Sequence, residues 1–331
     1  MNYRTLGQTG LKVSEIGLGA FPISGVQTRP DGTELGWPGT TDDESIALIH
    51  RSEELGVNLI DTAEAYGNGH SEILTGKALQ GRRDRWIIAT KVSPNQGIDA
   101  AQPDEAAVRR RLTEACEGSL RRLQTDAIDL YQLHAIPPDW AMPTVMQTLA
   151  DLRAAGKIRW YGISTNDHTA IEKLWALGPI HILQIGYNLL ERSADALLHW
   201  SKAENIGTLI RVPLARGMLT GKYSGDQAQT LDKTDIRYAR FQRPETVDGL
   251  SKLPQLNFLA TEQRKHAAGR AALCPRSPWC LLRHCRGQEP HAGGAKLPRR
   301  RAAAVDARRV GQGFADCRRS NAGVDLGDSR Q

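Results

Sequence analysis

Apolar and polar positions alternate in blocks over the first two thirds of the chain. A small hairpin is predicted over residues 3–14, with Gly7 and Gly10 in its turn. Short apolar runs then predict strands at 16–19, 57–60, 86–90, 127–133, 158–163, 180–185 and 207–210. Between them, amphipathic spacing predicts helices at about 42–55, 71–79, 104–122, 143–155, 168–176 and 194–203, with Gly56 and Gly156 as C-terminal stops. Ser71 stands as a candidate N-cap with Glu72 in the first turn behind it. A long Gly/Pro-rich loop, carrying Trp37, separates the first strand from the first helix.

Strict strand–helix alternation implies parallel strands joined by right-handed crossovers. Seven such units exceed the needs of an ordinary open sheet and approach the eight of a closed barrel. The rival, a doubly wound nucleotide-binding sheet, would carry G-x-G-x-x-G between the first strand and its helix. Here Gly17-Leu-Gly19 runs into the long loop instead. The expected fold class is therefore α/β: a (β/α)8 TIM barrel with an N-terminal β-hairpin, its eighth β/α unit missing or scrambled.

In such a barrel, chemistry belongs at the C-terminal ends of the strands. Asp61, Lys91 and His134 fall at the ends of the second, third and fourth strands, and Tyr66 lies in the loop after the second. Each alone has an ordinary structural explanation, as a turn aspartate, a solvated lysine or a half-buried tyrosine. Their joint placement at successive strand ends points to proton donation onto a carbonyl. A free tyrosine holds its proton up to pH ~10, and a neighbouring ammonium stabilises the phenolate left behind. Asp61 would hold Lys91, and His134 would orient the substrate oxygen.

The run Asp61-Thr-Ala-x-x-Tyr66-Gly-x-Gly-x-Ser-Glu72, then Ala-Thr-Lys91, then Asp-Leu-Tyr-Gln-Leu-His134, resembles the aldo/keto reductases, from the N-terminal hairpin to about Lys222. The resemblance implies a catalytic tetrad of Asp61, Tyr66, Lys91 and His134, and NADP (NADPH) bound at the barrel mouth without a Rossmann fold. It further implies nicotinamide amide contacts from Ser164 and Gln184, and Thr165 or Asn166 stands where a Ser-Asn pair is usual. Arg211 stands where many members place a tyrosine under the nicotinamide. The Pro-Leu-Ala-x-Gly-x-Leu-Thr-Gly-Lys run matches the pyrophosphate loop, which gives Leu214, Gly217, Leu219, Gly221 and Lys222. Trp37 would line the substrate pocket or anchor its loop. The implied activity is reversible reduction of an aldehyde or ketone, with a small carbonyl or alcohol as partner. A non-catalytic, cofactor-sensing or regulatory barrel subunit is the reading from another class, and an inactive frameshifted product a third.

Composition changes this picture only for the tail. The chain has a net charge of +6 over 331 residues, but residues 264–331 alone carry about +10, which leaves about −4 for residues 1–263. From residue 264 onward Ile, Met, Thr and Tyr are absent while Arg, Ala, Gly, Pro and Cys dominate. The organisation expected is a barrel over 1–263 and an atypical basic tail over 264–331, disordered or frameshifted. Reading each codon from its second base, Ser277-Pro-Trp-Cys280 can become His-Pro-Gly-Val, and Cys285-Arg-Gly-Gln-Glu-Pro290 can become Ala-Gly-Ala-Lys-Asn-Pro. Those segments resemble the family's closing helix-to-strand passage and its phosphate-binding segment. Resequencing tests the one-base shift at about 263–265 directly, and an intact frame sinks it.

Arg299-Arg-Arg301 lacks the aromatic interleaving of a nucleic-acid surface. Cys274, Cys280, Cys285, His284 and His291 lack paired C-x-x-C spacing for zinc. No apolar run reaches the ~20 residues of a membrane span, and the N-terminus shows no signal pattern. The expectation is a cytoplasmic protein that binds neither nucleic acid, membrane nor metal.

Overall fold

The apolar runs form a ring of parallel strands. The computed structural model describes residues 1–28, 32–220, 231–235, 237–251, 253–255 and 283–285. In chain order the strands are β1 (Tyr3–Thr5), β2 (Lys12–Ser14), β3 (Ile16–Gly19), β4 (Val26–Thr28), β5 (Glu34–Gly36), β6 (Leu59–Asp61), β7 (Ile87–Val92), β8 (Ile128–Leu133), β9 (Ile158–Ser164), β10 (Ile182–Gly186), β11 (Gly207–Arg211) and β12 (Arg283–Cys285). The helices are α1 (Asp42–Glu54), α2 (His70–Ala78), α3 (Glu105–Leu123), α4 (Met142–Ala154), α5 (His168–Leu177), α6 (Asp195–Ala203), α7 (Tyr238–Phe241) and α8 (Pro244–Ser251).

The barrel runs β3-β6-β7-β8-β9-β10-β11-β12 and returns to β3. The eighth position, expected as missing or scrambled, is held by the short β12. It pairs with β11 at Ile210↔Arg283 and with β3 from Arg283↔Ile16 to Cys285↔Leu18. The rest of that unit and the expected boundary at 263/264 lie outside the described residues, all of which belong to the compact unit Met1–Gly294.

Period-two alternation sorts each strand into an inner and an outer face. Outward residues such as Ile60, Ile88, Leu133, Ile163, Leu183 and Ile210 join the main core under the helices. Inward residues Leu59, Ile87, Ala89, Leu130, Ile182 and Leu209 form a second cluster inside the barrel. The β1/β2 hairpin plugs this cluster from below with Leu6 and Val13, both at 0% exposure. Two residues further along three alternate strands, the inward positions turn polar: Asp61 on β6, Gln132 on β8 and Gln184 on β10, all buried.

Local signals explain the helix starts. Thr41 and Glu44 form a reciprocal capping box on α1, and Asp104 and Asp167 cap α3 and α5. Ser71 is not the N-cap of α2. That helix begins one residue earlier, behind Gly69 in left-handed conformation. Ser71 Oγ instead donates to Ala20 O at 2.9 Å and meets Thr62 Oγ1 at 2.8 Å, tying β3, β6 and α2 together. Within the predicted long loop, β4 and β5 pair as a second hairpin. No helix among the described residues is long and apolar enough to cross a membrane.

Candidate active site

At the C-terminal ends of β6, β7 and β8 the four predicted residues meet. Lys91 is fully buried, and its Nζ donates to Asp61 Oδ2 at 2.7 Å, to Thr62 O at 2.8 Å and to Tyr66 OH at 3.3 Å. All three ammonium hydrogens are thus engaged. Burial works against the charge, but Asp61 and Tyr66 outweigh it and raise the Lys91 pKa, so the ammonium persists at neutral pH.

Tyr66 is half-buried. Its ring packs edge-on between Phe21, with centroids 5.0 Å apart, and His134 at 5.6 Å. Gly67, Asn68 and Gly69 all adopt positive φ, which swings the chain from Tyr66 into α2. A Cβ at Gly67 would lie 2.8 Å from Ser24 O, so backbone packing as well as conformation demands glycine there. Glu72, in the first turn of α2, is buried between Thr90 Oγ1 at 2.5 Å and Arg122 Nε at 2.7 Å; this locks α2 beside Lys91.

His134 is driven down to about pKa 4, first by burial and then by Lys91. It is a neutral imidazole at pH 7, fit to donate a hydrogen bond but not to act as an imidazolium acid. His181, near the start of β10, is also driven to about 4, by burial and by Arg153, whose Nη1 lies 3.0 Å from His181 Nε2. A histidine with a depressed folded-state pKa binds fewer protons folded than unfolded, so its stabilising contribution is complete above the unfolded value and is lost as pH falls. Unfolding free energy by urea titration is therefore expected to drop between about pH 6.5 and pH 4, by up to about 3 kcal/mol per histidine. His181→Gln keeps an acceptor for Arg153 and should flatten that slope; an unchanged slope would reject the assignment.

The residues implied for the nicotinamide amide cluster on the next strands. Ser164 Oγ donates to Gln184 Oε1 at 3.0 Å. Asn166 spans the backbone of Gly186, donating to its carbonyl at 2.9 Å and accepting its N–H at 2.7 Å. Arg211 donates to Asn166 Oδ1 at 3.2 Å, and its buried Nε has no hydrogen-bond partner.

The loop that follows is strained. Val212, Ala215 and Arg216 have φ of 52°, 48° and 55°, and Gly217 has 104°. Left-handed backbone at a β-branched valine is costly and is characteristic of functional loops. The loop's turns are closed by its own backbone, with Ala215 N–H donating to Val212 O and the N–H groups of Gly217 and Leu219 donating to Leu214 O. Leu214 and Gly217 lie in this loop. Leu219 turns its fully buried side chain into a satellite cluster with Met218 and Phe241, and its N–H donates to Leu214 O at 3.1 Å. Gly221 and Lys222 lie outside the described residues.

Arg216 sits near Arg240 and Arg211. Burial and these two like charges lower its pKa against the pull of Glu191 alone. Sequence spacing missed Arg216 and Arg240 because no strand-end position marks them. Trp37, at 2% exposure, lies under the Arg237 guanidinium at 3.9 Å and packs edge-on against Phe21, centroids 6.2 Å apart, which in turn packs on Tyr66.

A cavity of about 850 Å³ opens at the opposite, hairpin end of the barrel, lined by Lys12, Arg83, Arg85 and Arg159 among others. Its arginines are already paired, Arg83 and Arg159 on Asp129 and Arg85 on Glu53, and none of the four clustered residues reaches it. The strand-end cluster is the better candidate on chemical grounds.

Comparison with known proteins follows the same line. A family profile described as "Aldo/keto reductase family" matches residues 15–273. The chain is 38% identical over 265 residues to aldo-keto reductase YhdN of Bacillus subtilis, covering 78% of this chain and 76% of that one. It is 31% identical over 227 residues to the uncharacterized oxidoreductase YqkF of the same organism, covering 67% and 68%. Among solved structures it resembles a glycerol dehydrogenase from Gluconobacter oxydans, with TM-score 0.75 and 25% identity over 97% of this chain and 96% of that one. An aldo-keto reductase from Bacillus halodurans in its holo form gives TM-score 0.74 and 25% identity over 100% and 99%.

Proposed function

The chain belongs to the aldo/keto reductase family of oxidoreductases, and on that premise we propose that it reduces a small aldehyde or ketone, reversibly, with Tyr66 as proton donor and NADPH as hydride source. The observation that carries this reading is the fully engaged Lys91 ammonium between Asp61 and the Tyr66 hydroxyl.

NADPH fits the residues present. Ser164, Asn166 and Gln184 offer amide and hydroxyl groups of the kind that hold a carboxamide. Arg216 in the strained loop from Val212 to Gly217, with Arg240 and Arg211 close by, offers the positive charge that a pyrophosphate needs. Two solved structures of aldo-keto reductase from Klebsiella pneumoniae hold NADPH in one case and NADP with acetate in the other. When bound, the nicotinamide supplies the hydride.

The protein's own part is electrostatic and positional. Neutral His134 directs an N–H at the carbonyl oxygen and fixes it near Tyr66 OH. The Lys91 ammonium stabilises the phenolate as the proton leaves. Asp61 keeps Lys91 charged and aimed. Because these groups are set before the reaction begins, little reorganisation is needed as charge develops. Burial of Lys91 and Asp61 keeps the local dielectric low and strengthens each of these interactions. Consumption of NADPH in the presence of a reactive aldehyde, followed by loss of its absorbance, tests the reading. A folded chain that consumes none with any aldehyde or ketone would reject it.

A further inference from the structure

Barrel interiors are ordinarily filled by layers of branched apolar side chains drawn from alternate strands. One layer here obeys that rule with Leu59, Leu130 and Ile182. The next, from the same strands, is Asp61, Gln132 and Gln184. Gln184 Nε2 donates to Asp61 Oδ1 at 2.8 Å, and Gln132 Nε2 approaches the same oxygen at 3.5 Å. The opposite amide orientation would set Gln132 Oε1 against the carboxylate, so the donor orientation is the one electrostatics requires.

Gln132 is fully buried, and its Oε1 has no hydrogen-bond partner. A leucine there would continue the apolar filling and leave no orphaned acceptor. A buried polar group with incomplete partners calls for an explanation other than stability. The contacts supply one. Asp61 Oδ2 binds Lys91, which binds Tyr66 OH, while Asp61 Oδ1 binds Gln184, which binds Ser164. The carboxylate thus joins the proton donor to Gln184 and Ser164, two of the three residues proposed for the nicotinamide amide.

We propose that Asp61 is a junction between the cofactor's amide site and the proton donor, and that Gln132 is the positioning residue that steadies it. This rests on the function proposed above. Gln132 touches none of the reacting groups and acts through Asp61. Because coupling between two sites is reciprocal, a change at Asp61 is felt at both Tyr66 and Gln184.

The test uses the full chain with NADPH and a reactive aldehyde. Gln132→Leu is expected to lower kcat about five- to twentyfold, to leave the aldehyde KM within about twofold, and to displace the pH profile of kcat by at least about half a unit. Asp61→Asn is expected to change NADPH affinity, read from nicotinamide fluorescence, at least about threefold. Should Gln132→Leu fail to fold, Gln132→Glu carries the test. Its neutral carboxyl can donate to Asp61 at acid pH and its carboxylate cannot, so its kcat relative to the parent should decline as pH rises. A folded Gln132→Leu with the parent's kcat and pH profile, a Gln132→Glu ratio independent of pH, or an Asp61→Asn with unchanged NADPH affinity overturns the proposal and leaves the function standing. A parent chain that neither binds NADPH nor turns over overturns both.

Discussion

Tyr66→Phe is expected to lower turnover of an aldehyde by about 10²–10⁴-fold while leaving NADPH affinity within about twofold, the range that a positioned general acid supplies. The substitution keeps the ring that packs between Phe21 and His134, so the mouth of the barrel should retain its shape. It deletes only the hydroxyl that faces Lys91. His134 cannot take over, because its imidazole is held near pKa 4 and carries no acidic proton at pH 7. Lys91 cannot take over either, since Asp61 keeps its proton in place. Steady-state kinetics with nicotinamide fluorescence titration checks both halves of the expectation. Turnover unchanged by the substitution would remove Tyr66 from the role.

Removing the charge beneath it should cost stability rather than rate alone. Lys91→Met leaves the Asp61 carboxylate in the barrel interior, at 3% exposure, without its counter-ion. Breaking a buried ion pair from one side typically costs about 3–5 kcal/mol, because the remaining charge is left uncompensated. In a domain of this size that corresponds to a fall in Tm of roughly 10 °C. Gln184 and Gln132 still donate to Asp61 and place the loss toward the lower end. Adding Asp61→Asn should recover most of the stability and none of the activity, since the pair is not what holds the barrel closed. Thermal unfolding of the two variants separates these outcomes: a single variant as stable as the parent, or a double variant no better than the single, contradicts the account.

How much of this was legible beforehand depended on what each residue's neighbours in sequence reveal. The barrel was readable because apolar runs and helical spacing repeat with little interruption from Ile16 to Arg211, each unit ending on its own stop or cap. Asp61, Lys91 and His134 were readable because a polar residue closing an apolar run has few structural uses. Gln132 lies only two residues before His134, on the same face of β8, yet its polarity looked unremarkable within a strand. Its meaning comes from β6 and β10, which are distant in sequence.

Ser71 misled for a related reason. A serine before a helical run usually caps it, but here Gly69 makes the turn and frees the hydroxyl for Ala20 and Thr62. The β4/β5 hairpin was hidden because Val26–Thr28 and Glu34–Gly36 are too short and too mixed to show a period. Trp37 could be read as lining or anchoring; its enclosure against Arg237 is a contact with residue 237 that spacing could not supply.

The three engaged hydrogens of Lys91 have a stoichiometric consequence. On the function proposed above, Lys91 keeps its three N–H bonds while Asp61 holds its charge, His134 is neutral at pH 7, and the H⁺ delivered is the one on the Tyr66 oxygen. Addition of H₂ across a C=O consumes one hydride and one H⁺. Under that proposal the protein supplies the H⁺ half of the equation once per cycle, and the Tyr66 oxygen takes up one H⁺ from solvent before the next.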